Sequence, residues 1–412
     1  MRKIYGLIVF IIGFCCTAFA QEGESQNFGI RFNGYVKNDA FYDSRQNVTA
    51  REGHFLLWPK PEAPDVNQQD VNAQPNFNIL SVQSRISGTI NGPEALGAET
   101  SGKIEGDFFA QANDNINLFR LRHAYVRLSW ENTQLLTGQF WNPMFVTSCF
   151  PGTVSFNTGV PIQPFARNPQ VRLTQSFGDF QVIAAALAQR DYPSRIDKEV
   201  SSKFLRNSGT PDMHLQLHYN RPKLNMGAGM AYKTIMPRLV TEQEVKTNNS
   251  IGGLSAIAFA SISLEPVTIK FEAVSAQNAT DLLQISGFAV ETIQPETDKR
   301  SYLPLRNISL WSDIHTNGTP LQFGIFAGYT KNRGTKHSIV NDPDLIFGFG
   351  DNIASLYRVS PRITYQSGKL KLGLEGEYTS ATFGGSYNNK AMPVDTHTKE
   401  NMRILWSTYY FF

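Results

Sequence analysis

Cysteine is scarce in this chain. The sequence of 412 residues contains 3 cysteines, and two of them, Cys15 and Cys16, lie in an N-terminal segment that the sequence predicts to be removed. Cys149 then remains alone, and a single thiol forms no intramolecular disulfide. The fold must therefore depend on ordinary secondary structure and packing. Because no histidine lies near Cys149 in the sequence, we expect its thiol to be inert.

Charge and catalytic motifs are also sparse. Charged residues make up 18% of the chain and the net charge is +3, so no surface that binds nucleic acid is expected. The sequence contains no GxSxG, HExxH, P-loop or Rossmann motif. We therefore expect neither an enzyme nor a bound cofactor.

Long apolar runs are missing after the first twenty residues. Residues 1–20 combine a basic start, an apolar run and the small-residue sequence Ala18-Phe19-Ala20, which is typical of a cleaved signal peptide. The run is shorter than the roughly 20 residues of a membrane-spanning helix, which disfavours a membrane anchor. A lipid anchor is disfavoured because bulky Phe14 or Cys15 precedes the candidate cysteine. We expect residues 21–28 to form a short periplasmic segment.

Alternating polar and apolar residues fill the rest of the chain. In "DMHLQLHY", His214, Gln216 and His218 alternate with Leu215 and Leu217, which is the pattern of a strand with one apolar face. Such runs recur about sixteen times, an even number that is typical of closed outer-membrane barrels. The predicted strands are 29–42, 77–90, 98–110, 119–131, 133–141, 168–178, 179–189, 212–221, 223–233, 250–264, 266–277, 305–316, 320–331, 354–367, 369–380 and 399–412.

The predicted connections alternate between short and long. Tight turns such as Gly178-Asp179 alternate with long loops such as 278–304, and only the "NGPEALG" turn at 91–97 is a longer member of the short set. This asymmetry is typical of transmembrane barrels, whose short turns and both termini are periplasmic. The final stretch, "NMRILWSTYYFF", is itself a strand with an apolar face, and its pairing with the first strand would close the ring.

The pattern therefore predicts an all-β fold, a transmembrane antiparallel β-barrel over residues 29–412 in the outer membrane of a Gram-negative bacterium. A large secreted β-sandwich or β-helix is the alternative. In a barrel, outward aromatic residues would form girdles at the lipid boundary. A ring of about sixteen strands is too wide for its own side chains to fill, so we expect a polar, water-filled interior. The girdle candidates are Phe177, Tyr219, Tyr232, Tyr329, Tyr365, Tyr378, Trp406 and Tyr410.

Charged residues at inward positions are candidates for the pore lining. Arg120 and Arg122 lie two residues apart on one face, and the short loop at 111–118 places them beside the strand of Glu105 and Asp107. Clusters of opposite charge facing each other across a narrow opening would set a transverse field. Each charge could instead be a solvated side chain without a role in selection. The other candidates are Lys103, Arg172, Arg358, Arg362 and Arg403.

Two segments depart from the simple pattern. Val126, Leu128 and Trp130 share parity with Arg120 and Arg122 yet look lipid-facing, so we expect a β-bulge near His123 to Tyr125. The 142–167 segment is too apolar for a solvated flap. It either folds into the barrel as a constriction loop, which we favour, or packs against a neighbouring subunit. Its candidate constriction residues are Pro143, Phe150, Phe156 and Arg167.

At "RLRHAYVRLSW" (120–130), followed by "LLTGQFWNPMF" (135–145), the chain resembles the DcaP-like trimeric outer-membrane porins. The resemblance implies a sixteen-stranded trimeric channel with a constriction in the third loop and basic pore residues that favour small anions. By position, Arg120 and Arg122 match the arginines of that strand, and Gln139 and Trp141 match the segment that leads into the constriction. The helical extension that such proteins can carry before the barrel has no counterpart in residues 21–28.

Metal sites have little support in the sequence. His214 and His218 lie about 13 Å apart along a strand, too far for shared coordination. Asp342, Asp344 and Asp351 could hold Ca²⁺ in an outer loop, but we favour simple turn carboxylates. We expect no metal site.

The expected function is that of a porin, an outer-membrane channel through which small hydrophilic solutes diffuse with a mild preference for anions. It would work as a homotrimer in contact with outer-membrane lipid and lipopolysaccharide. Two alternatives stay open: an adhesin or structural barrel with a plugged lumen, and a barrel phospholipase. The phospholipase has less support, because no serine lies beside a histidine in a suitable run.

If the arginine strand sets selectivity, the double substitution Arg120→Glu and Arg122→Glu lowers the anion-to-cation permeability ratio, because it reverses two charges at one face of the channel. The reversal potential in a salt gradient measures that ratio. An unchanged reversal potential would show that neither residue sets the ion selectivity.

Overall fold

The computed structural model describes residues 28–196 and 199–412. The predicted signal peptide and nearly all of the 21–28 segment lie outside the described residues. Up to α1 the elements are β1 (Gly29–Asp43), β2 (Asn47–Ala50), β3 (Phe55–Pro59), β4 (Asn76–Leu80), β5 (Arg85–Ala95), β6 (Ala98–Asp107), β7 (Arg120–Ser129), β8 (Thr133–Trp141), β9 (Arg167–Phe177), β10 (Phe180–Leu187), β11 (Arg195–Ile196), β12 (Glu199–Val200) and α1 (Lys203–Ser208).

The second half continues with strands and short turns of 3₁₀ helix. The strands are β13 (Asp212–Arg221), β14 (Leu224–Ile235), β15 (Ile251–Ser263), β16 (Val267–Gln277), β17 (Ser286–Ile293), β18 (Arg300–Pro304), β19 (Arg306–Thr316), β20 (Leu321–Asn332), β21 (Ile346–Phe349), β22 (Ile353–Ser367), β23 (Leu370–Tyr387) and β24 (Pro393–Phe411). The 3₁₀ turns are Val71–Ala73, Asn113–Asn115, Thr280–Leu282 and Pro343–Leu345. Within the two described ranges, no helix has the length and apolar character to cross a bilayer.

One antiparallel sheet of 17 strand segments closes into a ring. β4 and β5 are two pieces of a single wall strand, because both pair with β1, β4 at Asp39–Asp43 and β5 at Gly29–Tyr35. Residues 81–84 interrupt what the sequence predicts as one strand at 77–90. The ring therefore has sixteen wall strands, and the predicted fold class is confirmed.

The first and last strands close the ring. β1 pairs with β24 from Tyr35 opposite Phe411 to Asp43 opposite Arg403. β24 also pairs along its other side with β23, so its backbone groups have partners on both sides. A hydrocarbon layer leaves no water for unpaired backbone groups, so closure is what lets such a sheet cross a membrane. The apolar end of the sequence is the strand that completes it.

The two faces of the wall follow the alternation. On β13, Met213 and Leu215 are each 52% exposed on the outside of the ring, while His214 and Gln216 are 4% and 2% exposed on the inside. The girdle candidates are on the outer face as well, where Phe177 and Tyr410 are 61% and 55% exposed. The outer surface is apolar, as the sequence predicts.

The two ends of the ring differ as expected, with changes in detail. The predicted seven-residue turn at 91–97 is wrong, because β5 and β6 are joined by Leu96 and Gly97 alone. Both have positive φ angles, 57° and 68°, which suits a tight hairpin turn. At the other end, β23 and β24 run past their predicted limits and leave a short connection. The three-stranded sheet β18–β17–β21, the hairpins β2–β3 and β11–β12, and α1 belong to the long-loop end.

A bulge in β7 reverses the parity of that strand. Glu105 pairs with His123 while the next residue, Gly106, pairs with Leu121, so Arg122 is the extra residue. Arg122 and His123 are consequently both inside the ring, 2% and 3% exposed. This confirms the expected bulge, one residue before the predicted position, and explains how inward arginines and outward Val126 occupy one strand.

Closure predicts that a proline in β24 prevents assembly. Leu405 pairs with Phe41 on one side and Glu375 on the other. Leu405→Pro removes a backbone donor from a strand that has no free edge, and the carbonyl left without its partner costs about 1–3 kcal/mol. We expect the loss of the folded, heat-modifiable band in gel electrophoresis.

Leu405→Ala is the matched control, because it keeps the backbone donor and removes only the side chain. It should retain the folded band. If the proline variant also migrates as a folded barrel, β24 is not required to close the ring.

Candidate functional site: the lumen and its inner loop

The segment between β8 and β9 crosses the inside of the ring. The Cys149 thiol lies against two backbone carbonyls of the far wall, Ala260 O at 3.4 Å and Phe271 O at 3.5 Å. Further along, the Gly152 N–H donates to the Asp313 carboxylate at 3.1 Å. We call residues 142–166 the inner loop. It spans the lumen from one wall to the opposite wall.

The inner loop ends one residue earlier than the sequence suggests. Arg167, a candidate constriction residue, is the first residue of β9, because its backbone already pairs with Trp141 of β8. The other three candidates do lie on the loop. Pro143 and Phe156 are buried, and Phe150 is 37% exposed.

Two wall glutamates hold the middle of the inner loop. The Glu375 carboxylate accepts the N–H groups of Val154 at 2.6 Å and Ser155 at 3.1 Å. Glu377, two residues along β23, accepts the Asn157 amide at 2.7 Å. A buried N–H without a partner costs about 1–3 kcal/mol, so these carboxylates fix the height at which the loop crosses the lumen.

Two wall cations hold the loop through its carbonyl oxygens. Lys37 Nζ donates to Val154 O at 3.2 Å. Arg358 donates to Val160 O at 2.6 Å and to Leu57 O, in the β2–β3 hairpin, at 2.7 Å. Arg358 was a pore-lining candidate, but it is fully buried. It therefore joins two inserted segments to the wall.

The interior is more apolar than the sequence predicts. A single buried cluster joins side chains of the inner loop, the β2–β3 hairpin and the segment at 279–285 to inward residues of β15, β16, β19, β20, β22 and β23. The prediction of a polar, water-filled interior is wrong in this part of the lumen, because long loops supply the apolar side chains that a wide ring lacks. Its members include Phe55, Trp58, Phe145, Phe156, Phe165, Leu282, Phe326 and Phe383.

The charges of β6 and β7 form a compact network. Arg120 Nε lies 2.8 Å from Asp107, and Arg122 bonds both Glu105 at 2.8 Å and Asp107 at 2.9 Å. Lys103 lies 2.9 Å from Glu105. These residues therefore lie next to each other, as the sequence predicts. They do not form the predicted transverse field, because the opposite charges contact each other on adjacent strands instead of facing each other across an opening.

The remaining arginine candidates differ in their partners. Arg362 bonds both carboxylate oxygens of Asp313 at 2.8 and 2.9 Å, and Arg403 bonds Asp43 at 2.9 and 2.6 Å. Arg172 instead donates to the Trp141 carbonyl at 2.6 Å. Charge is thus neutralised locally at Arg362 and Arg403, but not at Arg172.

Several inward cations have no carboxylate oxygen within 4.0 Å in the part of the chain that the structure describes. Lys270 donates to Phe150 O at 3.1 Å, and Lys371 lies over the Tyr409 ring. Arg127 lies over the Tyr125 ring, and Arg172 donates to a carbonyl. The inward acids Asp212, Glu272 and Glu375 also have no cation at that distance, but they are buried.

A cavity of about 460 Å³ lies above the inner loop toward the long-loop end. Arg51, Arg190 and Arg195 line it, and none of the three has a carboxylate oxygen within 4.0 Å among the described residues. Its one lining acid, Asp191, is bound by Arg167 at 2.9 Å. Tyr192 is also in the lining, and burial raises the pKa of its hydroxyl, so it stays neutral.

Sequence reasoning missed the residues that hold the inner loop. Lys37, Asp313, Glu375 and Glu377 all lie at inward positions of predicted strands, and the alternation pattern marks them as polar. The path of an inserted loop across the ring decides which inward residues contact that loop. The polar and apolar pattern of a single strand carries no information about that path.

The metal candidates are turn residues. The Asp342 carboxylate accepts the N–H of Asp344 at 3.0 Å, at the start of a 3₁₀ turn, and Asp351 accepts the Tyr387 hydroxyl at 2.7 Å. Among the residues that the structure describes, no group of three His, Cys, Asp or Glu side chains is arranged to hold a metal ion.

Solved outer-membrane proteins share this architecture. The outer membrane channel DcaP of Acinetobacter baumannii superposes with a TM-score of 0.69 at 16% identity, over 93% of this chain and 97% of that chain. The anion-selective porin from Comamonas acidovorans superposes with a TM-score of 0.56 at 9% identity, over 94% of this chain and 100% of that chain. The outer-membrane expressed OmpT of Vibrio cholerae superposes with a TM-score of 0.55 at 11% identity, over 94% of this chain and 99% of that chain.

These likenesses confirm the fold of the DcaP-like porins for this chain. No family model and no curated protein matches the sequence.

Loss of the Glu375 carboxylate should free the inner loop. Glu375→Ala leaves two buried N–H groups without partners, at a cost of about 1–3 kcal/mol each. The inner loop contains several phenylalanines, so we expect chymotrypsin to cut the folded variant within residues 142–166 faster than the wild type. Mass spectrometry of the fragments locates the cuts.

Glu99→Ala, at an exposed position of β6, is the control and should leave the cleavage rate unchanged. Equal resistance of Glu375→Ala and the wild type would show that other contacts suffice to hold the loop.

Cys149 should be unreactive while the barrel is folded. Burial of the thiol, and then the nearby Glu272 carboxylate, raise its pKa to about 12. Thiolate is the reactive form, so its fraction near neutral pH falls roughly 10³-fold relative to a free cysteine. We expect maleimide labelling at pH 7.5 only after unfolding in urea.

The control variant carries Cys149→Ser with Ser148→Cys, which moves the thiol to the neighbouring exposed position. It should label in the folded state. Rapid labelling of wild-type Cys149 would contradict the described position of the inner loop.

Proposed function

We propose that this protein is an outer-membrane porin, a channel for passive diffusion of small hydrophilic solutes, with a mild preference for anions. The observation that carries the proposal is a closed sixteen-strand ring with an apolar outside, crossed internally by one anchored loop. Such a loop narrows the lumen and sets a size limit. The protein would bind solutes only in passage and would catalyse no reaction.

The anion preference follows from the balance of accessible charge. Arg127, Arg172, Lys270 and Lys371 lack carboxylate partners, whereas three inward wall carboxylates without a cation at that distance, Asp212, Glu272 and Glu375, are buried. Glu375 lies beneath the inner loop, and Glu272 is buried against the Trp311 indole N–H at 3.1 Å. Solutes in the lumen would therefore meet more positive than negative charge, which favours anions.

The entry cavity adds to this bias. A solute from the long-loop end would meet Arg51, Arg190 and Arg195 before it reaches the inner loop. The paired arginines at positions 120, 122, 362 and 403 would contribute little, because a carboxylate neutralises each of them. In place of the arginine pair that the sequence suggests, the structure favours the unpaired cations as the selectivity residues.

The membrane setting and the assembly belong to the same proposal. We propose that the outward aromatics lie at the lipid boundary, that the short turns and both termini are periplasmic, and that the protein contacts outer-membrane lipid and lipopolysaccharide. The anion-selective porin and the trimer form of OmpT share its fold, which supports both the anion preference and assembly as a homotrimer.

A second candidate is a structural barrel or adhesin with a sealed lumen. The observation in its favour is the apolar cluster that joins three inserted segments to the wall. Conductance across a planar bilayer separates the two. Stable steps in groups of three support a trimeric porin, and electrical silence of a folded, inserted protein overturns the porin proposal.

Charge reversal at the unpaired lysines should reverse the selectivity. Lys270→Glu with Lys371→Glu changes the lumen charge by four, at residues that form no ion pair. We expect the reversal potential in a salt gradient to move toward that of a cation-preferring channel, with single-channel conductance of the same order.

Lys246→Glu, on an exposed loop, is the control with half the charge change outside the lumen. It should leave the potential unaltered. If the double variant behaves like this control, the unpaired lysines do not set the ion preference.

A further inference from the structure

The pairing between β7 and β8 stops before either strand ends. Its last pair toward the long-loop end is Ala124 opposite Gln139. Residues 120–123 of β7 and 140–141 of β8 lie beyond that pair, and there each strand keeps only its other neighbour, β6 or β9. We call these unpaired residues of the two strands the seam. The seam is a notch in an otherwise continuous wall.

Side chains take the place of backbone partners at the seam. The Gln139 amide donates to Arg122 O at 2.9 Å and to Leu121 O at 3.4 Å. On the other strand, the Gln170 amide donates to Phe140 O at 3.1 Å. At membrane depth, backbone without ladder partners is tolerated where it is buried in protein or lines a cavity. We therefore looked for a cavity beside the seam.

Two cavities meet at the seam. The first, which we call the seam cavity, has a volume of about 350 Å³ and is lined by both Arg120 and Leu121. Arg120 is 6% exposed on the inside of the wall, and Leu121 is 50% exposed on the outside. The second is the entry cavity, and Gln111, Arg190 and Asp191 line both of them. The seam cavity therefore connects the inside of the ring with its outer face.

The two ends of this connection differ in chemistry. At the outer face, Leu118 and Phe119 also line the seam cavity, and they are 60% and 54% exposed. At the inner end, the three arginines of the entry cavity have no carboxylate oxygen within 4.0 Å among the described residues. A solute that suits both ends has an apolar chain and a negative charge.

We propose that the seam is a lateral passage for amphipathic anions with a single alkyl chain, such as medium-chain carboxylates. The guanidinium groups of the entry cavity would hold the carboxylate, and the chain would extend past Leu121 to the apolar outer face. A fully hydrophilic anion gains nothing at that face, and an uncharged lipid gains nothing at the arginines. The seam cavity is too small for a lipid with several acyl chains.

The inference rests on the proposed function in one respect, the placement of the long-loop end at the outer leaflet with the entry cavity open to the outside. Hydrophilic anions would continue past the inner loop. Amphipathic anions would leave the entry cavity sideways through the seam and reach the lipid.

Photolabelling of the processed protein in neutral detergent tests the binding site. The probe is decanoate with a diazirine in its alkyl chain, and mass spectrometry locates the label after irradiation. We expect the label within residues 110–121, which line the seam cavity in part. Unlabelled decanoate should compete with the probe. Decanol, which has the same chain without the charge, should not compete.

Three variants separate the seam from the rest of the outer face. Leu121→Trp fills the seam cavity from outside, and Gln111→Trp fills its junction with the entry cavity from inside. Each should abolish the labelling of 110–121. Val126→Trp is the matched control, because Val126 is also outward, 58% exposed, on the part of β7 that pairs with β8. It should label like the wild type.

Uptake by Gram-negative cells that express the protein tests passage itself. Leu121→Trp should reduce the uptake of radiolabelled decanoate to that of cells without the protein, whereas Val126→Trp should not change it. Both variants should take up lactate at the wild-type rate, because a hydrophilic anion does not use the seam.

A label found only outside residues 110–121, or competition by decanol as strong as that by decanoate, would overturn the proposal. Wild-type labelling or wild-type decanoate uptake in the Leu121→Trp variant would overturn it as well. Single-channel conductance in planar bilayers tests the porin separately. An inserted protein that is silent refutes the porin, while a conducting protein with any of these contrary results refutes only the lateral passage.

Discussion

The need to pair every backbone amide governs this structure. In a hydrocarbon layer an unpaired N–H or C=O has no water to bond, so a sheet that crosses a membrane must have no edge. Pairing of β24 with both β1 and β23 meets that need and fixes the fold as a ring. The alternation of each strand follows from a ring with lipid on one side and a lumen on the other.

A ring of sixteen strands creates a second problem, because its interior is wider than its own side chains can fill. This chain fills part of it with segments from the long loops. The inner loop, the β2–β3 hairpin and the segment at 279–285 meet in one apolar cluster. The inserted segments bring backbone N–H and C=O groups into a buried, apolar environment. Wall residues such as Glu375, Lys37 and Arg358 form hydrogen bonds with these groups.

The inward charged residues fall into two classes, those that bind a carboxylate and those that do not, and the two classes have different roles. Arg122, Arg362 and Arg403 bind carboxylates at 2.6–2.9 Å. These ion pairs connect strands of the wall. Lys270, Lys371 and Arg172 have no such partner among the described residues, and under the proposed function they attract anions. Spacing along a strand cannot separate these two classes, because the partner of each cation belongs to another strand or to a loop.

The sequence by itself determined the ring. Period-two alternation located all sixteen wall strands, and the parity conflict between Arg122 and Val126 located the bulge, because strand geometry depends on residues next to each other in the chain. Only the tertiary structure decided what fills the ring. Glu375 holds Val154 and Ser155 from more than two hundred residues away. Such contacts depend on where a long loop turns inside the lumen, and no local pattern records that path.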